Sequence, residues 1–155
     1  MDYAQLFRIT PKGEDLEQLT TGAGCHMLPG IAATRLFYVH TSCHGAKWIE
    51  WMSPGSREPK RFPGEAPLVD LATSPDGRFV LTDFSMAGET TVMRGDANDG
   101  RLTTLFRFKS NSPISRVQFG RRASDVLFQD ETNVWIKSGD GEAKTIVALH
   151  KEDAP

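Results

Sequence analysis

The sequence contains no run approaching the roughly 20 apolar residues that a membrane-spanning helix needs, so no membrane span is expected. It also lacks a surplus of either charge: 18 Lys and Arg stand against 20 Asp and Glu, for a net charge of −2. The basic residues are scattered and Arg121-Arg122 is the only adjacent arginine pair, a solvated turn, so nothing suggests a nucleic-acid partner. Met1–Thr21 has neither the basic start nor the apolar core of a signal peptide. The expected compartment is therefore the cytoplasm, or the periplasm if an export signal has been removed. Cysteine is scarce, with Cys25 and Cys43 alone and no Cys-x-x-Cys spacing. No segment holds a 3.6-residue apolar period over the ten or so residues a helix requires. Gly-x-Ser-x-Gly, the Gly-x-x-x-x-Gly-Lys phosphate loop and His-Glu-x-x-His are all missing, and Gly22-Ala23-Gly24 is too short for a dinucleotide fingerprint. No cofactor is expected.

What remains is strands and turns. Fourteen glycines and nine prolines separate β-branched and aromatic runs, in a chain of 155 residues that suits one domain. Leu6–Thr10 and Leu16–Thr20 read as a hairpin around Pro11-Lys12-Gly13. Arg35–Thr41 is a strong strand, and Lys47–Met52 pairs with Glu58–Phe62 across Ser53-Pro54-Gly55. Leu68–Thr73, Arg78–Phe84, Thr90–Arg94 and Arg101–Phe106 follow, then Ile114–Phe119, Asp125–Gln129, Asn133–Lys137 and Ala143–Leu149. The expected class is all-β.

These strands recur with a period of about 43 residues, the length of a four-stranded propeller blade. Arg78-Phe79-Val80-Leu81 aligns with Arg35-Leu36-Phe37-Tyr38 before it and Asp125-Val126-Leu127-Phe128 after it. The chain divides into a half blade at 1–21 and blades at 22–64, 65–109 and 110–150, a β-propeller-like array of about 3.5 antiparallel blades. Within Ala66–Phe106, Ser74-Pro75-Asp76-Gly77 supplies a fixed φ at proline, a carboxylate that can bond its own backbone, and a glycine free to take positive φ. Here the chain resembles the WD40-like propeller repeat of the TolB type (the PD40 repeat). The likeness is good over Ala66–Phe106, fair over Ser112–Leu149, and poorer over Cys25–Phe62, where Gly30–Thr34 replaces the turn.

Three and a half blades fall short of the usual ring of four to eight, so the chain is either part of a longer propeller, or closes its opening hairpin on the fourth unit, or pairs as a homodimer or hetero-complex, with closure or pairing expected over an open fragment. Metal-type ligands gather as Cys25-His26 with His40, Cys43 and His44, with Cys25 expected opposite His40 and the ligand set taken as Cys25, His40, Cys43 and His44. Neighbours along a strand point to opposite faces, so Cys25 and His26 cannot both reach one ion. A Cys25–Cys43 disulfide, which would need a bulge or loop to close the roughly 10 Å between them, and ordinary buried thiols with exposed histidines are the alternatives. His40, Asp83 and Asp130 hold equivalent places near the ends of second strands, where they either converge on a partner or cap their own turns. Trp48 and Trp51 differ in parity, so one can anchor a partner while the other packs between blades.

The function expected is a non-enzymatic protein-binding module, an inhibitor, immunity or assembly protein of bacterial type. The resemblance also implies an alternative: a propeller-type enzyme or enzyme fragment, as in metal-dependent lyases or the gating domains of peptidases.

Overall fold

The computed structural model describes residues 3–42, 44–53, 55–63, 70–86, 88–109, 114–122 and 124–149. Cys43, Pro54, Leu68 and Val69, which entered the sequence reading, lie outside them. Among the described residues every regular element is a strand. A short hairpin, β1 (Phe7–Arg8) and β2 (Glu17–Gln18), opens the chain. Three four-stranded antiparallel sheets follow, each a meander in chain order. The first holds β3 (Cys25–Ala32), β4 (Arg35–Thr41), β5 (Lys47–Met52) and β6 (Lys60–Arg61). The second holds β7 (Asp70–Thr73), β8 (Phe79–Met86), β9 (Glu89–Asp96) and β10 (Arg101–Lys109). The third holds β11 (Arg116–Phe119), β12 (Asp125–Gln129), β13 (Asn133–Ser138) and β14 (Lys144–Ala148). The all-β class and the propeller-blade architecture read from the sequence are what the chain adopts.

β4, β5 and β12 have the bounds that the sequence suggested, while the opening hairpin is shorter and β9 and β10 run longer. β3 is the strand that alternation did not reveal. Met27-Leu28-Pro29-Gly30 interrupts its pattern, and the structure shows why: the pairing with β4 is irregular between Met27 and Gly30, with Leu28 at φ 51°. Proline has no amide to give the ladder, and a bulge is where a strand tolerates it.

The Ser74–Gly77 turn closes as its chemistry requires. The Ser74 hydroxyl donates to Asp76 Oδ1 at 2.6 Å and accepts the Phe79 amide at 2.8 Å, while the Arg78 amide reaches the same carboxylate at 3.1 Å. Gly77 takes φ +67°, and a Cβ there would lie 2.5 Å from the Ala32 carbonyl oxygen of the preceding sheet. Arg35 completes this joint, donating to the Gly77 carbonyl at 3.0 Å and to Asn98 Oδ1 at 3.1 Å.

Alternation sends one face of each sheet into a core between blades. Phe37, Val39, Ile49 and Trp51 pack with Phe62, Val80 and Ala97 between the first and second sheets. Leu81, Val92, Ile114, Val117, Val126 and Phe128 do the same between the second and third. Each such valine, leucine, isoleucine or phenylalanine, fully buried, contributes about 1.5–3 kcal/mol. Inner strands pack β3 on β7 and β7 on β11, and Asp70 Oδ2 accepts the Val117 amide at 3.1 Å across the second joint.

The expected closure of the hairpin on the fourth unit is not found among the described residues. The hairpin segment sits instead beside β3, where the Ala4 carbonyl accepts the His26 amide at 2.8 Å. Packing runs from each sheet to its neighbour, β3 to β7 and β7 to β11, and among the described residues β1 and β2 pair only with each other.

Candidate functional site

The face of the first sheet turned away from its core carries polar residues. Strand alternation puts Tyr38 and His40 on that face of β4 and Trp48 and Glu50 on that face of β5. His26 of β3 stands directly across from His40. Glu50, though buried, accepts the Trp48 indole N–H at 2.7 Å and a hydrogen bond from the Tyr38 hydroxyl, and its Oε1 lies 3.2 Å from His40 Nδ1. The rings follow one another at tilts of 41° and 44°, with centroids 4.4 Å apart for His26 and His40 and 4.6 Å for His40 and Trp48. The Arg61 guanidinium lies 3.8 Å above the Trp48 ring.

Burial disfavours the charged form of two groups here. Burial, then the hydrogen bond to Glu50, pushes the Tyr38 hydroxyl far above its ordinary range, so it remains a donor. Burial first, and the His40 ring second, hold His26 below the ordinary histidine value. The cluster borders a cavity of about 170 Å³ whose other wall is the opening hairpin, from Gln18 to Thr21. Among the described residues, His26, His40 and Glu50 are the one trio of His, Cys, Asp or Glu whose ligand atoms all lie within 4.8 Å of each other.

This trio differs from the ligand set suggested by the sequence. The β3–β4 hairpin pairs Cys25 with Thr41 and His26 with His40, so Cys25 does not stand opposite His40 and its side chain faces the other side of the sheet. The register is set by the tight Ala33-Thr34 turn and the bulge, neither visible in spacing alone. His44 is exposed, its amide bonded to Ser42 Oγ at 3.3 Å, and Cys43 is outside the described residues. Glu50 escaped the sequence reading, although sharing parity with Trp48 was a usable signal.

His40, Asp83 and Asp130 each keep separate company. Asp83 is fully buried and pairs in register with Asp70; the Asp83 and Asp70 amides face its carboxyl and oppose the rise in pKa, but neither oxygen has a partner at full hydrogen-bond geometry. Burial, then the nearby Asp70 charge, raises its pKa to about 7. Asp130 caps the turn after β12, accepting the Thr132 and Asn133 amides at 2.9 and 2.7 Å and the Trp135 indole at 3.3 Å. Trp51 is core, packed on Phe62 at 4.6 Å. Trp48 is the half-buried partner of the polar cluster.

The two ends of the stack expose apolar side chains. Phe7, Ile9 and Leu16 of the opening segment are 53, 54 and 67% accessible, and Ile146 and Val147 of β14 are 52 and 49%. In the last sheet Val126 and Phe128 point into the core, so the alternate residue Leu127, with Ile136 beside it, faces away.

No protein-family model matches the sequence, and no curated protein does. Solved structures do. TolB from Acinetobacter baumannii is similar with a TM-score of 0.70 and 14% identity, over 92% of this chain and 37% of that one. An oligogalacturonate lyase from Vibrio parahaemolyticus reaches 0.73 at 13% identity, over 98% and 47%. An acylaminoacyl peptidase from Pyrococcus horikoshii reaches 0.61 at 15% identity, over 86% and 26%. The chain thus spans less than half the length of each, and the likeness is one of β-propeller fold.

Proposed function

We propose that this chain is a non-enzymatic protein-binding module that docks a partner polypeptide on the uncovered face of its last blade. The observation that carries the reading is the apolar surface left at that end of the stack. Leu127, Ile136 and Val147 lie on a sheet face that no other described strand covers, with Ile146 beside them. In a propeller such a face packs against the next blade, and exposed apolar sheet surface is a template for association. The sheet edge offers backbone hydrogen bonds and the face offers area. A chain that works by binding alone fits an inhibitor, an immunity protein or an assembly factor of bacterial type.

Affinity capture from native extract, followed by mass spectrometry, tests this. Wild-type protein is expected to retain a partner, and Ile136→Asp combined with Val147→Asp to reduce capture about tenfold or more with little change in thermal midpoint. Sedimentation separates a different partner from a second copy: a homodimer doubles the 17.1 kDa mass of the purified chain. A chain that retains nothing and turns over a small substrate overturns the reading.

A further inference from the structure

We propose that His26, His40 and Glu50 form a binding site for a divalent transition-metal ion, best suited to Zn²⁺, with a fourth coordination position open to the cavity beneath the opening hairpin. Three neighbouring strands of one rigid sheet supply one donor each, so the site is built by the blade and not by a loop. Two imidazoles and one carboxylate are a donor set that zinc accepts with an open position.

The hydrogen bonds around the histidines resemble a metal site's outer shell. His26 Nδ1 faces the Ala4 carbonyl at 3.4 Å and His40 Nε2 faces the Ala23 carbonyl at 3.2 Å. In the tautomer in which each of these nitrogens donates to its carbonyl, the other nitrogen keeps its lone pair, as metal-ligating histidines require. The metal-facing atoms are then His26 Nε2 and His40 Nδ1. His40 Nδ1 lies 3.2 Å from Glu50 Oε1, a separation that two ligand atoms bound to one ion also take. Glu50 is held in place by the Trp48 indole, which donates to the same Oε1 at 2.7 Å, and by the Tyr38 hydroxyl. Ligand atoms within 4.8 Å of one another must draw in by up to about 1.4 Å around a tetrahedral ion with bonds of roughly 2.1 Å, a movement that imidazole rotation can provide.

The cavity of about 170 Å³ supplies the open side, lined by Gln18, Thr20, Tyr38 and Arg57. A water molecule or a partner's carboxylate can complete the coordination there. The site does not depend on the last blade, so it stands or falls apart from the docking surface above.

The test uses the full chain, stripped with a chelator and titrated with Zn²⁺ by calorimetry and with Co²⁺ by visible absorption. The expected result is one ion per chain, the intense bands of four-coordinate Co²⁺, and a change in Trp48 fluorescence that Trp48→Phe removes. Glu50→Gln keeps the shape of the side chain and is expected to weaken binding about 100-fold, as is His40→Ala. Cys25→Ser and His44→Ala are expected to bind as wild type. Absence of stoichiometric binding to the folded wild-type chain overturns the site. So does full affinity in Glu50→Gln, or loss of binding in Cys25→Ser. If His40→Ala fails to fold, the cobalt spectrum of wild type and the Glu50→Gln titration decide.

Discussion

Asp83 is the residue at which burial and charge conflict most sharply. Its carboxyl is shut away from solvent, has no partner at full hydrogen-bond geometry, and lies beside Asp70, so the fold favours its neutral form and raises its pKa to about 7. The sign of the consequence follows from proton counting. Below the ordinary pKa of 3.8 both folded and unfolded chains hold this proton. Between there and about pH 7 only the unfolded chain releases it, so this group's share of stability declines as pH rises through that window. Above it the fold carries a buried, unpaired charge. Asp83→Asn removes that charge at nearly constant shape. Its thermal midpoint is expected to match wild type near pH 4 and to exceed it by about 4 °C near pH 8, the size that 1–2 kcal/mol gives in a chain this long. Scanning calorimetry at the two pH values checks this, and equal midpoints at pH 8 would refute it.

At the scale of elements, the joints between blades are made by turns and close approaches. Ser74–Gly77 was legible because each residue answers a local demand, and the hydrogen bonds formed are those demands met. The Gly77 contact with Ala32 was not legible, because it joins turns of two different sheets. Gly77→Ala combines strain at φ +67° with a clash against a backbone oxygen, and is expected to destabilise by about 1–3 kcal/mol. Urea unfolding should show a lower midpoint at unchanged slope. The β3–β4 hairpin shows the opposite case. Pro29 and Gly30 conceal a strand from any reading by alternation, and the bulge they occupy decides that His26, and not Cys25, meets His40. A strand with broken periodicity is recognised only once its partner is in place.

Across the whole molecule, order is expected to fall from the middle of the stack to its ends. Both faces of the second sheet are covered, by the first sheet on one side and the third on the other. β14 is exposed along its whole length, and β1 and β2 hold only two residues each. Hydrogen exchange by mass spectrometry should therefore find the slowest amides in β8 and β9 and the fastest in β1, β2 and β14. Equal protection in β14 and β9 would mean that the last blade's face is already covered in solution, by a second copy of the chain. The same measurement after adding zinc should slow exchange in β3, β4 and β5 and leave β14 unchanged, which distinguishes the two sites on one sample.

The sequence by itself determined the class of fold, the blade-length repeat and the turn chemistry of the best-formed unit. Each depends on short-range physics: alternation along a strand, turn residues with restricted φ, and a period of about 43 residues. Opposite parity at Trp48 and Trp51 likewise fixed that they serve different faces, one now core and the other in the polar cluster. Tertiary structure alone decided which residues share a site. His26, His40 and Glu50 meet because register is set by a bulge and a two-residue turn, and a one-residue change of register sends a side chain to the other face. It also decided that Asp83 lies sealed against Asp70 while Asp130 caps a turn, although the two hold equivalent places in the repeat. Equivalence in sequence sets position along a strand, but burial depends on what the neighbouring blade places against it.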